Sequence, residues 1–113
     1  MAVTIYHNPR CTKSRQTLAL LEGKGVKPRI VEYLETPPSP AELKRILKML
    51  GMTPRQLLRK KEAKEAGLDD ARLSDDALIE KMAANPIVIE RPIVVKGSKA
   101  ALGRPPENVL DIL

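Results

Sequence analysis

The chain of 113 residues contains one cysteine, Cys11, at the point where a predicted strand and turn end and a helix begins. A helix N-terminus presents unpaired backbone N–H groups and the positive end of the helix dipole, and both stabilise a thiolate. Lys13, Arg15 and His7 can add positive charge or hydrogen bonds beside the sulfur. We therefore predict a nucleophile with a lowered pKa. A buried structural cysteine is disfavoured because the surrounding run 12–15 is polar.

A second thiol for this site must come from another molecule. In a dithiol site a second cysteine three residues further on would resolve a mixed disulfide, but the chain has Ser14 at that position. We expect the resolving thiol to belong to a small molecule such as glutathione or to another protein. One histidine and one cysteine do not make a metal site, so we expect no bound metal or cofactor.

Composition and charge favour a folded protein with an anionic partner. Hydrophobic residues make up 42% of the chain and charged residues 30%, which is typical of globular proteins. The excess of 20 Lys and Arg over 14 Asp and Glu gives a net charge of +6, which suits nucleic acid, an anionic membrane or a small oxyanion. Tyr6 and Tyr33 are the only aromatic residues, so stacking surfaces for nucleic-acid bases are not expected.

The sequence also favours a location in the cytoplasm. Its first residues run directly into an apolar strand pattern without a basic and apolar leader, and no stretch is long enough to span a bilayer. A single thiol remains free in a reducing compartment. We therefore expect a cytoplasmic protein that does not bind membranes. We also expect a monomer.

The elements that hold Cys11 are predicted to form a parallel βαβ unit. Val3–Tyr6 alternates in the manner of a strand and stops at Asn8 and Pro9, which favour a turn. Residues 11–22 carry helix formers and are followed by glycine. A second strand is predicted at Ile30–Leu34. A strand, a helix and a strand in this order place the two strands in parallel.

The rest of the chain predicts a helical insertion, a hairpin and a last helix. Helical patterns with capping residues fill residues 39–84. Ile93–Val95 and Ala100–Leu102 are predicted to pair around a turn, before a terminal helix. The order βαβ, helical insertion, ββα predicts one α/β domain over residues 1–113, with a mixed central sheet and a thioredoxin-like fold.

Residues 7–15, with the sequence His-Asn-Pro-Arg-Cys-Thr-Lys-Ser-Arg, resemble the active-site stretch of the glutaredoxin-dependent bacterial arsenate reductases. Further segments resemble the same family, in the same order along nearly the whole chain: Tyr33–Pro38, Leu57–Lys60, Glu90–Val95 and Gly103–Pro105. The resemblance implies a thioredoxin-like fold and the reduction of arsenate to arsenite, with glutathione and glutaredoxin as thiol donors.

The resemblance also implies roles for single residues. Cys11 would be the nucleophile, and His7 would tune its thiol. Three arginines would surround the oxyanion: Arg59, Arg91 and Arg104. Guanidinium groups suit this role because their planar forks bind oxyanions and neutralise the negative charge that a thiolate must approach.

Four further residues are expected to support the site. Pro92, which follows Arg91, is where the resemblance implies a cis-proline beside the thiol. Asn8 and Ser14 are expected to form hydrogen bonds to the thiolate or to the turn backbone. Arg15 is expected to contribute positive charge.

Two other functions remain open on the sequence. The same fold superfamily includes redox-responsive transcription regulators that bind RNA polymerase, although Ser14 stands where these usually carry the second cysteine of their switch. A glutathione-linked thiol oxidoreductase with another substrate would use the same site. The chain departs from the arsenate reductase pattern at Arg10, an extra charge beside the nucleophile, and at Gly103, where some relatives carry a second cysteine.

Overall fold

The computed structural model describes residues 2–113, which form two compact units. The first unit contains the chain up to Thr36 together with Arg91–Leu113, and the second contains Pro37–Glu90. The helical insertion expected at 39–84 lies within the second unit. That residues 1–113 make a single domain stays a prediction, and Met1 lies outside the described residues.

The first unit is built on a four-stranded sheet with the strand order β2-β1-β3-β4. Its elements are β1 (Val3–His7), α1 (Thr12–Gly23), β2 (Arg29–Glu32), β3 (Ile93–Lys96) and β4 (Lys99–Leu102). Strands β1 and β2 are parallel, whereas β3 is antiparallel to both β1 and β4. The predicted mixed α/β sheet, the parallel βαβ unit and the hairpin are confirmed.

One face of β1 packs into the hydrophobic core of this unit. The core cluster joins residues of two strands, of α1 and of the C-terminal segment: Val3, Ile5, Leu21, Val94 and Val109. Because alternate residues of a strand share a face, His7 follows Val3 and Ile5 onto the face that carries α1. The core therefore fixes the end of β1, where the loop to Cys11 begins.

The second unit is helical. Its elements are α2 (Pro40–Leu50), α3 (Lys60–Glu65) and α4 (Asp75–Ala84), with short 3-10 helices at Pro54–Leu57 and Pro86–Val88. Capping side chains start α2 and α4, because Ser39 accepts a hydrogen bond from Glu42 N at 3.1 Å and Ser74 accepts one from Ala77 N at 3.2 Å. Gly51 ends α2 in a left-handed conformation with φ at 68°.

Two elements differ from the prediction. Strand β2 ends at Glu32, and Tyr33 and Leu34 form a turn where the strand was expected to continue. This turn is closed by two backbone N–H groups that donate to Glu32 O at 3.0 and 2.9 Å. The C-terminal segment Pro106–Ile112 is a 3-10 helix and not an α-helix. Burial of Val109 against the core of the first unit holds this segment in place.

Candidate active site

The loop between β1 and α1 is held by its own hydrogen bonds. Cys11 N donates to Asn8 O at 3.0 Å, which closes the turn, and Arg10 N donates to the side-chain oxygen of Asn8 at 3.0 Å. The Arg15 side chain reaches back from α1 and donates to Pro9 O at 2.9 Å. Asn8 and Arg15 therefore fix the loop backbone, and Cys11 has a defined place at the start of α1.

Cys11 occupies the N-cap position of α1, and its side chain forms no capping hydrogen bond. Burial raises the pKa of the thiol. It is opposed by the backbone N–H of Ser14, by the Arg91 guanidinium and by the backbone N–H of Lys13. These groups outweigh burial, so the pKa of Cys11 lies below its ordinary value. Cys11 is only partly buried, which leaves a stabilised thiolate within reach of a ligand.

Arg91 brings a buried positive charge to the thiol. Its side chain is 9% exposed, and its Nε and Nη1 atoms have no hydrogen-bond partner among residues 2–113. The Arg91–Pro92 peptide bond is cis, as expected, and leads directly into β3. A buried guanidinium with unpaired N–H groups is unfavourable unless an anion binds it. Arg91 and Cys11 therefore form a site that suits a small anion.

His7 and Ser14 form a buried pair next to the loop. The Ser14 side-chain oxygen lies 2.6 Å from His7 Nδ1 and accepts a hydrogen bond from Asn8 N at 3.0 Å. Burial lowers the pKa of His7 more than the Glu32 carboxylate raises it, so the ring is neutral near pH 7. We assign the Ser14 hydroxyl as the donor to Nδ1. His7 therefore supports the loop through Ser14, and its tuning of the thiol stays a prediction.

Ser14→Ala should destabilise the fold, because it leaves the Asn8 N–H and the His7 ring without a buried partner. We expect a loss of about 1–3 kcal/mol in the free energy of unfolding, measured by urea denaturation. Thr17→Val is the matched control, since Thr17 is also buried on α1 but its hydroxyl donates to a carbonyl of its own helix, Lys13 O, at 2.8 Å. Equal losses in the two variants would contradict the bridging role of Ser14.

The other two predicted oxyanion arginines lie in different units. Arg104 belongs to the first unit and donates from Nη1 to Arg91 O at 3.2 Å, so it braces the residue that approaches the thiol. Arg59 belongs to the second unit, at the N-cap of α3, where its Nη1 lies 2.9 Å from Glu62 Oε2. That Arg59 and Arg104 bind an oxyanion stays a prediction.

Gly103 lies at a point of close packing that the sequence did not reveal. A Cβ atom at this position would lie 2.6 Å from Thr17 Oγ1 and 2.8 Å from Pro92 Cγ, which is closer than such atoms approach. Gly103 N also donates to Pro92 O at 2.9 Å. The sequence indicated no packing role for Gly103, whereas the structure shows that a residue without a side chain lets Thr17 of α1 and Pro92 both lie close to the backbone at this position.

The structure adds Tyr33, a residue to which the sequence assigned no role. Tyr33 is 2% exposed, and its hydroxyl has no hydrogen-bond partner among the described residues. Burial raises the pKa of Tyr33 to about 12. The charge of Cys11 also raises this pKa, whereas the charge of Arg91 lowers it. The side chains of Asn8 and Arg91 lie near the hydroxyl, but neither makes a hydrogen bond of ordinary geometry to it. The one feature of the sequence that could have pointed to Tyr33 is its place in the segment Tyr33–Pro38, which resembles the arsenate reductases.

The groups that the first unit brings together are thus the Cys11 thiol, the N-terminus of α1, the Arg91 guanidinium and the Tyr33 hydroxyl. Within residues 2–113, no cluster of three or more His, Cys, Asp or Glu side chains could hold a metal ion. In the same part of the chain, no helix has the length and apolar character needed to cross a membrane.

Comparisons with known proteins extend over the whole chain. Residues 6–112 match the model of the ArsC family. The chain is 50% identical to an arsenate reductase of Haemophilus influenzae, with 100% of both proteins covered. It is 56% identical to the Escherichia coli K12 protein named "Uncharacterized protein YfgD", over 98% of this chain and 96% of that protein. A solved structure described as an arsenate reductase from Vibrio cholerae matches with a TM-score of 0.95 at 55% identity, over 100% of this chain and 98% of the other.

These matches confirm the resemblance that the cysteine loop and the ordered segments suggested. The family match begins within β1, includes Cys11, Arg91 and Arg104, and ends in the C-terminal 3-10 helix. The relatives are similar to this chain in sequence over its full length, and the Vibrio cholerae structure is similar to it in fold. With sequence, fold and active-site loop in agreement, the chain belongs to the ArsC family.

Proposed function

We propose that the protein reduces arsenate to arsenite, with Cys11 as the nucleophile and external thiols as the reductant. The observation that carries the proposal is a stabilised Cys11 thiolate beside the buried Arg91 guanidinium, whose Nε and Nη1 lack partners within residues 2–113. Relatives that are 50% and 47% identical to the chain carry the name arsenate reductase, which supports arsenate as the substrate.

Charge is the main obstacle to this reaction. Arsenate is largely a dianion near neutral pH, so a thiolate that approaches it meets repulsion. Arg91 offsets this repulsion with a planar fork that can bind two oxygens, and the N–H groups at the start of α1 add further donors. In the proposal, Arg104 and Arg59 supply additional guanidinium contacts. The remaining residues hold the site in position: His7, Asn8, Ser14, Arg15 and Pro92.

The proposed reaction proceeds through covalent steps. The Cys11 sulfur forms a bond to arsenic while a protonated arsenate oxygen leaves as water, and glutathione displaces a second oxygen in the same way. A glutaredoxin thiol then attacks the glutathione sulfur. The bond between that sulfur and arsenic breaks with its electron pair left on arsenic, so As(V) becomes As(III). Water releases arsenite and regenerates the Cys11 thiol. The electrons come from the two donor thiols, which end as a glutathione–glutaredoxin mixed disulfide.

An external reductant is part of the proposal because of the cysteine count. Cys11 is the chain's single cysteine, so the chain has no second thiol to resolve the adduct. We propose that the protein binds no cofactor of its own and draws on the reduced glutathione of the cytoplasm. One copy of the chain supplies the nucleophile, and we propose that it acts as a monomer.

Arsenite formation tests the proposal. Purified protein with arsenate, glutathione and glutaredoxin should produce arsenite, measured by arsenic speciation, and omission of either thiol donor should stop turnover. Absence of arsenite under the complete conditions would refute the proposal. Reduction of a glutathionylated peptide instead would indicate a thiol oxidoreductase with another substrate. Co-purification with RNA polymerase, without arsenate turnover, would indicate the transcription regulator.

A further inference from the structure

The buried hydroxyl of Tyr33 has no structural explanation within the described residues. Tyr33 is 2% exposed, and no group in residues 2–113 forms a hydrogen bond with its hydroxyl. A buried hydroxyl without a partner loses the hydrogen bonds that it would make with water, so each such group in a native structure needs an explanation. Phenylalanine would fill the same space without this disadvantage. The hydroxyl therefore points to a partner that is bound from outside.

Strand pairing places Tyr33 next to the Cys11 loop. Strand β2 runs parallel to β1, and the last pair of residues in their register is His7 with Glu32. The residues that follow the two strands, Asn8 and Tyr33, therefore begin at neighbouring positions. Asn8 and the Cys11 thiolate are both near enough to influence the Tyr33 hydroxyl. The hydroxyl thus lies at the candidate anion site and not in a separate part of the core.

Three donor atoms at this site lack acceptors among the described residues: the Tyr33 hydroxyl, Arg91 Nε and Arg91 Nη1. Arg91 is 9% exposed, so both side chains are more than nine-tenths buried. The Arg91 guanidinium lowers the pKa of the Cys11 thiol, and the charge of Cys11 raises the pKa of Tyr33. A tetrahedral oxyanion has several acceptor oxygens and can satisfy all three donors at once, which a thiolate alone cannot do.

We propose that the Tyr33 hydroxyl donates a hydrogen bond to an oxygen of the oxyanion bound at Cys11, which makes Tyr33 a substrate-binding residue. The inference rests on the proposed function for the identity of the anion as arsenate, but not for the binding of an oxyanion. Arg91 supplies charge to the anion, and Tyr33 supplies a neutral donor of fixed direction. Because burial raises the pKa of Tyr33 to about 12, the hydroxyl stays protonated near pH 7 and acts as a donor.

Tyr33→Phe removes the hydroxyl and keeps the ring. The experiment measures the concentration of sulfate, phosphate or arsenate that half-protects Cys11 from iodoacetamide, and the single thiol makes this readout specific. Loss of a hydrogen bond to a charged oxygen should raise that concentration about ten- to hundredfold. Tyr6→Phe is the matched control, because Tyr6 is also buried but lies within β1, where it pairs with Val31 and Ile93, and not in the turn beside the Cys11 loop. Tyr6→Phe should bind oxyanions like the wild type.

Urea unfolding separates a binding role from a structural one. Because the Tyr33 hydroxyl has no partner in the free protein, Tyr33→Phe without anion should unfold at the same or a higher urea concentration than the wild type. Added sulfate should stabilise Tyr33→Phe less than it stabilises the wild type. Lower stability without anion, combined with wild-type affinity for sulfate, would overturn the inference. It would also be overturned if no oxyanion protected Cys11 in the wild type.

Arsenate turnover distinguishes this inference from the proposed function. Protection by sulfate or phosphate that depends on Tyr33, in a wild-type protein that forms no arsenite, would support the inference and refute the proposed function. Wild-type rates of arsenite formation by Tyr33→Phe at limiting arsenate would refute the inference and leave the proposed function intact.

Discussion

Cys11→Ser should reduce arsenite formation to the background rate, a loss of at least about a thousandfold. A serine hydroxyl is close in shape to the thiol, but it is not appreciably ionised near pH 7 and cannot form the sulfur–arsenic bond. The turn at this position depends on the backbone N–H that donates to Asn8 O, so the variant should fold like the wild type. Turnover is measured as arsenite formed with both thiol donors, and folding is measured by urea denaturation.

A mixture of glutathione, glutaredoxin and arsenate without the protein defines the background rate. Cys11→Ser should still be stabilised by sulfate against unfolding, because Arg91 and Tyr33 remain to bind the anion. This result would show that the loss of turnover comes from the missing nucleophile and not from a damaged site. Turnover by Cys11→Ser at the wild-type rate would refute the whole mechanism, including the roles of the arginines.

Arg91→Ala should lower kcat/KM for arsenate by about a hundred- to thousandfold, because one side chain serves both reacting groups. The Arg91 guanidinium favours the Cys11 thiolate, so its loss should raise the pKa of the thiol. The same group has two unpaired N–H donors in the free protein, and its loss should weaken binding of the oxyanion. Initial rates over a range of arsenate concentrations measure kcat/KM, and alkylation of Cys11 over a range of pH measures the pKa of the thiol.

Two variants show whether a built pocket or positive charge in general is responsible. Arg91→Lys keeps the charge but loses the planar fork, so its kcat/KM should lie between those of the wild type and Arg91→Ala. Arg10→Ala removes an exposed arginine next to Cys11, and we expect little change because solvent and salt screen an exposed charge. A loss in Arg10→Ala as large as that in Arg91→Ala would contradict the specific role of Arg91.

The elements around Cys11 could be predicted because their signals are local. The alternation of Val3–Tyr6 and the Asn8–Pro9 turn specify a strand that ends just before the nucleophile, and the structure confirms β1 at Val3–His7. The helix start at Cys11 follows from the same run of residues. The pairing of β3 with β4 is also local, because a short turn joins the two strands. The cis bond at Pro92 was expected from the family resemblance alone.

The sequence could not show which polar side chains the fold leaves without partners. Arg91 is one of 20 basic residues, and its burial depends on strands that are distant in the sequence. Tyr33 was expected to continue a strand, whereas a turn after Glu32 places it beside the Cys11 loop. The pairing of His7 with Ser14 likewise depends on how α1 packs against β1. These features arise from tertiary packing, which neither periodicity nor residue type specifies.

The pH dependence of Cys11 alkylation tests the central claim most directly, because the chain has one thiol and only the thiolate reacts. The rate rises with pH through the thiol pKa, and an unperturbed cysteine has a pKa near about 8.5. We predict a lower pKa for Cys11, with the plateau reached at lower pH. Added sulfate or arsenate should raise this pKa, because a bound anion adds negative charge and engages Arg91. A thiol that titrates at about 8.5 or above and does not respond to either anion would show that Cys11 is a structural cysteine.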